Sequence, residues 1–327
     1  MENKNILILS VGTRNKIVQY FKENITGKII CTDMSIYAPA IYEGDKFYIM
    51  PPVTDDEYIN KVMDICEKER ISAVFSLIDP ELLILAKYEK EFRNRNIVLL
   101  QSPKNLLELS FDKFKFYKEL LRKNYRTPTS YIDLNSVISD IEMQKINFPL
   151  FIKPNKGSAS ININLINSID EMNTEFEKYD DLLIQEYIKG KEYGVDVFVD
   201  FISGEVISIF IKEKLKMRAG ETDKSVSVRN NELYTLIEKF VEDMGYVGQI
   251  DIDIFEKDNK FYISEVNPRF GGGYPHAYQA GCNFPHYIYN NLLGIKNIAD
   301  NYDYKTGTIM MKYNEIKFLN NVGENNE

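Results

Sequence analysis

Cysteine is scarce in this chain, and the three present, Cys31, Cys66 and Cys282, are scattered and odd in number. That pattern excludes a disulfide framework and a cysteine metal cluster, and it suits free, partly buried thiols in a reducing cytoplasm. Histidine is scarcer still. His276 and His286 have no second catalytic partner in view and read as structural or solvent-facing. Positive charge is in deficit, with 40 Lys and Arg against 49 Asp and Glu and a net charge of −9. No basic stripe interleaved with aromatics occurs, so nucleic acid is not an expected partner. No apolar run reaches the roughly 18–20 residues that a membrane span needs. The N-terminus lacks a basic segment followed by a long apolar stretch and a small-residue cleavage site, so a cytoplasmic location is expected. Internal repeats and low-complexity tracts are also lacking.

What is present is a chain of 327 residues, 44% hydrophobic, enough for a large core and two or three domains. The first hundred residues alternate strand and helix patterns. Strands are expected at Ile6–Ser10, Lys28–Thr32, Ala73–Ile78 and Ile97–Leu100, with helices at Ile17–Glu23, Tyr58–Glu69 and Pro80–Glu91. Such alternation predicts a parallel sheet covered on both faces. Ligands bind such sheets at the carboxyl ends of the strands, which places Gly12–Arg14 and Asp79-Pro80-Glu81 near a cleft mouth. Val11-Gly12-Thr13-Arg14 is not a dinucleotide fingerprint, because G-x-G-x-x-G is missing. It reads as a plain turn, or as a place where Arg14 or a helix N-terminus holds an anionic substrate group.

Beyond residue 110 the pattern becomes α+β. A helical stretch, Phe111–Lys123, is broken at Thr127-Pro128-Thr129. Strands are expected at Leu150–Lys153, Ile161–Ile166, Leu182–Ile188, Val195–Phe201 and Val206–Ile211, with a helix at Ile169–Phe176. A helix at Leu233–Met244 leads into two strands, Gln249–Phe255 and Phe261–Val266, joined by an Asp258-Asn259 turn.

An acidic protein that binds a polyanion must gather its positive charge locally, and four segments meet that need. In Leu150-Phe151-Ile152-Lys153-Pro154-Asn155-Lys156-Gly157-Ser158-Ala159-Ser160, an apolar strand ends in a lysine and runs into a loop of small residues. Lys153 there can reach α- and β-phosphates, while the loop offers backbone N–H groups and hydroxyls. The order is not that of a Walker A loop, and an ordinary surface hairpin is the bland alternative. In Leu182–Asp196, backbone groups at Glu186-Tyr187-Ile188 suit an adenine edge and Glu192 suits ribose hydroxyls. Two solvated glutamates beside a turn is the competing reading. In Asp251-Ile252-Asp253-Ile254-Phe255 and Ser264-Glu265-Val266-Asn267-Pro268-Arg269, period two puts Asp251 and Asp253 on one face, and Glu265 and Asn267 on one face. Acids inside apolar strands are costly unless paired or metal-bound. Hard oxygen donors of this kind suit Mg²⁺. Arg269 follows closely and suits a transferred phosphoryl group. Gly271-Gly272-Gly273 would allow close backbone approach to a ligand. In the fourth segment, Lys212 and Lys214 share a strand face, and Lys212, Lys214 or Arg218 is placed to meet γ-phosphate. A solvated strand edge explains them equally simply.

The order and spacing of these segments resemble the ATP-grasp superfamily. Residues 5–315 resemble its carbamoyl-phosphate-synthase large-chain-like, single-copy branch. Glu265-Val266-Asn267-Pro268-Arg269, with Asp253 upstream, carries the most specific part of that likeness. The resemblance implies an α/β and α+β ATP-grasp fold. Its parts would be a parallel-sheet pre-ATP-grasp domain at 1–110, a small subdomain with its entry helix at 111–190, and a C-terminal subdomain at 191–327. It implies that Lys113 and Lys153 contact ATP phosphates, and that Gly157, Ser158 and Ser160 form a phosphate-covering loop. Glu186, Tyr187 and Ile188 would hold adenine, and Glu192 the ribose. Asp253, Glu265 and Asn267 would bind Mg²⁺ or Mn²⁺, with Asp251 open as the upstream ligand instead. Arg269, Arg218 and Lys212 would serve phosphoryl transfer.

There are departures from the family pattern. The loop lacks a further glycine after Ser160, which implies a stiffer lid. Only one of the two halves of a full carbamoyl-phosphate synthase is present, so that overall reaction is not expected. The implied activity is a carboxylate–amine ligase working through an acyl phosphate and releasing ADP and phosphate. The implied partners are a small-molecule carboxylate and an amine, with no nucleic acid and no membrane, and a homodimer is left open. A small-molecule kinase, or a non-catalytic nucleotide-binding regulatory module, are the competing readings.

Overall fold

The computed structural model describes residues 3–157, 164–218 and 220–319. The N-terminal part is a parallel sheet of β1 (Asn5–Leu9), β2 (Ile29–Asp33), β3 (Lys46–Ile49), β4 (Ile71–Ser76) and β5 (Val98–Leu99), in the order β3-β2-β1-β4-β5. Its helices are α1 (Asn15–Asn24), α2 (Tyr58–Lys68), α3 (Asp79–Lys87) and α4 (Glu89–Asn94). The expected single helix at Pro80–Glu91 is thus two helices, interrupted at Tyr88. Chain order reverses between β1 and β4, which makes their carboxyl ends the switch point of the sheet.

Next come α5 (Lys104–Phe111) and α6 (Lys113–Arg122). The aromatic, lysine-rich helix begins after Asp112, whose side chain accepts from the Lys115 N–H at 3.0 Å and caps it. A four-stranded antiparallel sheet follows, built from β6 (Ser130–Tyr131), β7 (Leu150–Pro154), β8 (Asn164–Ile166) and β9 (Leu182–Glu186), with helices α7 (Leu134–Glu142) and α8 (Ile169–Lys178).

The third sheet is antiparallel and six-stranded. It contains β10 (Lys191–Val199), β11 (Val206–Arg218), β12 (Glu221–Ser227), β13 (Gly248–Lys257), β14 (Lys260–Asn267) and β15 (Ile309–Met311), in the order β14-β13-β10-β11-β12-β15. Three helices, α9 (Asn231–Met244), α10 (Tyr274–Ala280) and α11 (Phe284–Leu292), complete the described chain. One face of β10 and β13 is apolar. Val195, Val197, Ile250, Ile252 and Ile254 pack on Leu233, Ile237, Phe240 and Val241 of α9, which recur at helical spacing. The opposite face of the same strands carries the charged residues.

The first and third sheets share a core. Ile6, Ile8, Phe21 and Phe75 pack with Phe198, Phe210, Phe270 and Phe284. Phe21 lies 4.7 Å from Phe75 between ring centroids, and Phe270 lies 5.7 Å from each of them. This aromatic wedge seats the end of β14 against the carboxyl ends of β1 and β4. No helix among the described residues is long and apolar enough to cross a membrane.

Candidate active site

The charged face is set by strand register. On β13 and β14, Asp251 stands opposite Asn267, and Asp253 opposite Glu265. On β10, Asp196 stands opposite Asp251, and Gly194 opposite Asp253. Residues directly opposed across a ladder project to the same side. The two acidic strand segments therefore merge into one patch.

Two lysines from β11 cross this face. Lys212 ion-pairs with Asp196, both side chains being nearly inaccessible, and lies 4.0 Å from Asp251. Lys214 bridges two acids, donating to Glu192 Oε1 at 2.8 Å and to Asp253 Oδ1 at 2.6 Å. Burial works to lower the Lys214 ammonium, but Asp253, Glu192 and Asp251 together raise it above its ordinary value. Gly194 makes this crossing possible. A Cβ there would fall 2.9 Å from Lys212 Cε and 3.2 Å from Lys214 Cε. Asp251 is different. Burial pushes its carboxyl up to about 7, with Lys212 opposing and Asp253 and Asp196 reinforcing the rise.

Arg269 closes one end of the patch. Its Nε donates to Asp79 Oδ2 at 2.9 Å, and its other nitrogens donate to the Phe270 carbonyl and Asn267 Oδ1, each at 3.2 Å. The glycine run beside it does not stand open. A Cβ on Gly271 would fall 2.4 Å from Asp251 Cγ, one on Gly272 2.8 Å from Glu221 Oε2, and one on Gly273 2.6 Å from Lys212 Cε. These three glycines make room for the protein's own charged side chains.

The other expected residues gather around β7 and α6. Lys153 donates to Gln185 Oε1 at 2.9 Å. Burial lowers the Lys153 ammonium from its ordinary value, against the pull of Glu265. Lys113 Nζ donates to the Gly157 carbonyl. Asn155, which sequence reasoning passed over, joins these pieces. Its carbonyl accepts from the Lys113 N–H at 3.0 Å and its side chain from the Phe114 N–H at 2.9 Å. Ser158 and Ser160 lie outside the described residues. The Glu186 N–H is taken by the Thr129 carbonyl at 2.8 Å, so that group is not open to an adenine edge. Tyr187 packs edge-on against Phe151, and Ile188 is buried beside it in sequence.

Arg218 departs from expectation. Its side chain is half-exposed and ion-paired with Asp223 at 3.0 Å, at the far end of β11 from Lys212. Turning back at once into β12 gives Arg218 a local partner across the hairpin. Glu81 departs too. It is fully buried beneath the switch point, accepting from Ser10 Oγ at 3.0 Å and from the hydroxyls of Tyr58 and Ser76. Burial raises its carboxyl above the ordinary range, and those three hydroxyls oppose the rise.

Arg14 does reach the cleft. It donates to Glu221 Oε1 at 2.9 Å and to the Phe270 carbonyl at 3.5 Å, and Lys312 holds Glu221 Oε2 at 2.7 Å. Glu221 and Lys312 were not anticipated. They carry no motif and meet Arg14 only through the fold. A small cavity of about 10 Å³, room for about one water, is lined by Asp79, Leu82, Leu107, Ser110, Phe111, Gly157 and Glu265–Pro268. Among the described residues, no three His, Cys, Asp or Glu side chains form a preformed metal cage. A Mg²⁺ ion commonly takes few protein ligands and is completed by substrate phosphates. The donor set of Asp253, Glu265 and Asn267, all hard oxygens on paired strands, fits such an ion.

Residues 6–100 match the PylC-like, N-terminal domain, and residues 110–273 match the ATP-grasp domain. The chain is 25% identical over 325 residues to a carbamoyl-phosphate synthase of Methanobrevibacter smithii, covering 92% of this chain and 85% of that one. It is 27% identical over 242 residues to the carbamoyl phosphate synthase large chain of Caldanaerobacter subterraneus subsp. tengcongensis, covering 69% of this chain but 22% of that relative. The match thus spans about a fifth of that large chain. Among solved structures, N5-carboxyaminoimidazole synthetase from Staphylococcus aureus, complexed with ADP, superposes with a TM-score of 0.75 at 15% identity, over 96% of this chain and 83% of that one. An L-amino acid ligase from Bacillus licheniformis gives 0.68 at 19% identity, over 89% and 75%. The ordered nucleotide segments, the merged acidic patch and the domain match agree, and the chain belongs to the ATP-grasp family.

Proposed function

We propose that this protein is an ATP-dependent carbon–nitrogen ligase. In this reading Mg·ATP lies between the four-stranded and six-stranded sheets. The observation that carries it is the register pairing of Asp253 with Glu265 and of Asp251 with Asn267, beside Arg269. The segments 1–110, 111–190 and 191–327 are proposed as its domains, and each contains one sheet.

Lys113 and Lys153 hold the ATP phosphates, Glu192 the ribose, and the stretch Glu186–Ile188 the base. Asp253, Glu265 and Asn267 hold Mg²⁺, which neutralises charge on the transferring phosphoryl group when bound. Asp253 is assigned over Asp251 because it stands opposite Glu265, whereas Asp251 is packed against Gly271. Arg269 keeps its planar fork fixed by Asp79 and Asn267 and meets the transferred group. Lys212, tied to Asp196, supports the same face from below. Arg218 is assigned no contact with the transferred group. A substrate carboxylate attacks the γ-phosphorus, giving an acyl phosphate and ADP. An amine then attacks the acyl carbon, and phosphate leaves with formation of the amide. The protein's task is positioning and charge neutralisation rather than covalent catalysis.

The same ATP-grasp membership and the named activities of the fold's neighbours, a carboxyaminoimidazole synthetase and an amino acid ligase, support a carbon–nitrogen ligase in general. A screen of carboxylates crossed with amines for ADP release tests the specific reaction. Glu265→Gln and Asn267→Ala are expected to abolish Mg²⁺-dependent ADP formation with thermal unfolding unchanged in cooperativity. Turnover at the wild-type rate in both variants overturns the metal assignment. ADP release that needs the acid but no amine favours a kinase instead.

A further inference from the structure

One carboxylate in the cleft is held in the reverse sense to the others. On the acidic face each lysine is shared between acids, Lys214 between Glu192 and Asp253, and Lys212 between Asp196 and Asp251. At Glu221 one acid is shared between two cations. Its Oε1 accepts from Arg14 Nη2 at 2.9 Å and its Oε2 from Lys312 Nζ at 2.7 Å. The three residues come from separate parts of the chain. Arg14 precedes α1, Glu221 opens β12, and Lys312 follows β15. The carboxylate is also seated on Gly272, where a Cβ would fall 2.8 Å from Oε2. Burial works to raise the Glu221 carboxyl, but Arg14, Lys312 and Arg269 together hold it below its ordinary value.

This is the geometry of a carboxylate-binding site, filled by the chain's own side chain. Each cation has a second anchor. The Arg14 guanidinium also donates to the Phe270 carbonyl at 3.5 Å, and the Lys312 N–H donates to the Asp223 carbonyl at 2.9 Å. The Glu221 carboxylate has only these two donors among the described residues. Its side chain is 42% exposed, so it has a path into solvent. When it swings out, Arg14 and Lys312 are left as two positive charges with no acid between them. A monocarboxylate only replaces one negative charge by another, against a competitor tethered in place. A dianion neutralises both cations, and displacement then gains free energy.

We infer that Arg14 and Lys312 form a binding site for a dianionic ligand group, a phosphate ester or two neighbouring carboxylates, which Glu221 fills in the free protein and vacates on binding. The site stands on this geometry, and its place in the reaction rests on the ligase reading. Arg14 and Arg269 donate to the same Phe270 carbonyl, so an anion here lies beside the residue proposed to meet the phosphoryl group. In that reading the site selects substrates by a charged group remote from the carboxylate that is activated. Glu221 sets the threshold, because a ligand without the second charge does not displace it.

Calorimetric titration of the chain without nucleotide tests this, with inorganic phosphate, malonate and acetate as probes. The wild-type chain is expected to prefer phosphate or malonate to acetate by about 10-fold or more, as one further charge-assisted hydrogen bond implies. The better of the two dianions tells a phosphate ester from a dicarboxylate. Glu221→Gln removes the competitor and leaves the cations. The preferred dianion is then expected to bind about 10-fold tighter than to the wild type, because occlusion weakens apparent affinity by the open fraction. Adding Lys312→Gln to that variant is expected to reverse the gain, whereas phosphate held at Lys113 and Lys153 responds to neither change. Unchanged or weaker binding of both dianions by Glu221→Gln overturns the inference and makes Glu221 a permanent structural partner. Saturable binding of neither dianion to either protein overturns it too, as does acetate bound by the wild type as tightly as the dianions. The wild-type comparison decides the matter even where a variant fails to fold. Mg·ADP titration is run separately. Its failure overturns the nucleotide reading, while the anion titrations still decide this one.

Discussion

Asp79 and Arg269, 190 residues apart, meet at 2.9 Å between Oδ2 and Nε, where the first parallel sheet abuts the end of β14. Both side chains are largely buried, so the pair is shielded from solvent screening. Arg269 also reaches Asn267, and through this contact the N-terminal domain helps to set the geometry of the proposed metal site.

Arg269→Lys keeps the charge but loses the planar fork that reaches Asp79, Asn267 and Phe270 together. Turnover is expected to fall about 100-fold or more, the scale of a lost transition-state donor. Mg·ADP affinity should hardly change, because Arg269 is not assigned to the nucleotide. Steady-state ADP release and calorimetry separate the two effects. A matching loss of ADP affinity would place Arg269 on the nucleotide instead.

Gly194→Ala tests the lysine crossing. In an ordinary strand this exchange is neutral or favourable, since glycine weakens strand interiors. Here the added methyl meets Lys212 and Lys214, and the chain is expected to lose about 1–3 kcal/mol by overpacking. Urea unfolding of the purified variant measures the loss, and a variant as stable as the parent contradicts the crossing.

Phe270→Ala empties the centre of the wedge that joins the sheets. Phe270 is 1% exposed and contacts rings from both domains. A loss of about 3–5 kcal/mol is expected. Proteolysis near the domain junction should rise with it, whereas an intact, protease-resistant variant would mean that the wedge contributes little.

His276 predicts a pH dependence. It is buried between Ser225 and Thr308, and burial, reinforced by the charge of Lys212, pushes its imidazole down to about 4. The unfolded value is about 6.5. Between these values the unfolded chain binds a proton that the folded chain refuses, so stability falls as pH drops through that window. The full effect of this one group is about 3 kcal/mol, complete by about pH 4. His276→Gln should flatten that part of the profile in urea titrations taken at several pH values. An unchanged slope would show that other groups carry the acid sensitivity.

Much of this architecture was legible in the residues themselves. Alternating strand and helix patterns before residue 100 specified the parallel sheet, and period two put the acids of β13 and β14 each on one face. These are local properties, set by backbone geometry and by side-chain direction within one element. Short or polar elements escaped the same reading. β12 begins Glu221-Thr222-Asp223-Lys224, with little strand character, and β15 has only Ile309–Met311. Their pairing is supplied by neighbouring strands rather than by their own propensity.

The strand placement of the acidic positions, and of the segments proposed to hold nucleotide, was therefore legible in the sequence alone. That the two acidic strands form one patch, that Lys214 bridges Glu192 to Asp253, and that Gly271–Gly273 make room for Asp251, Glu221 and Lys212 were decided only by the tertiary structure. The reason is physical. Each of these contacts joins residues distant along the chain, and strand register and inter-sheet packing, which no local pattern encodes, determine which of them meet.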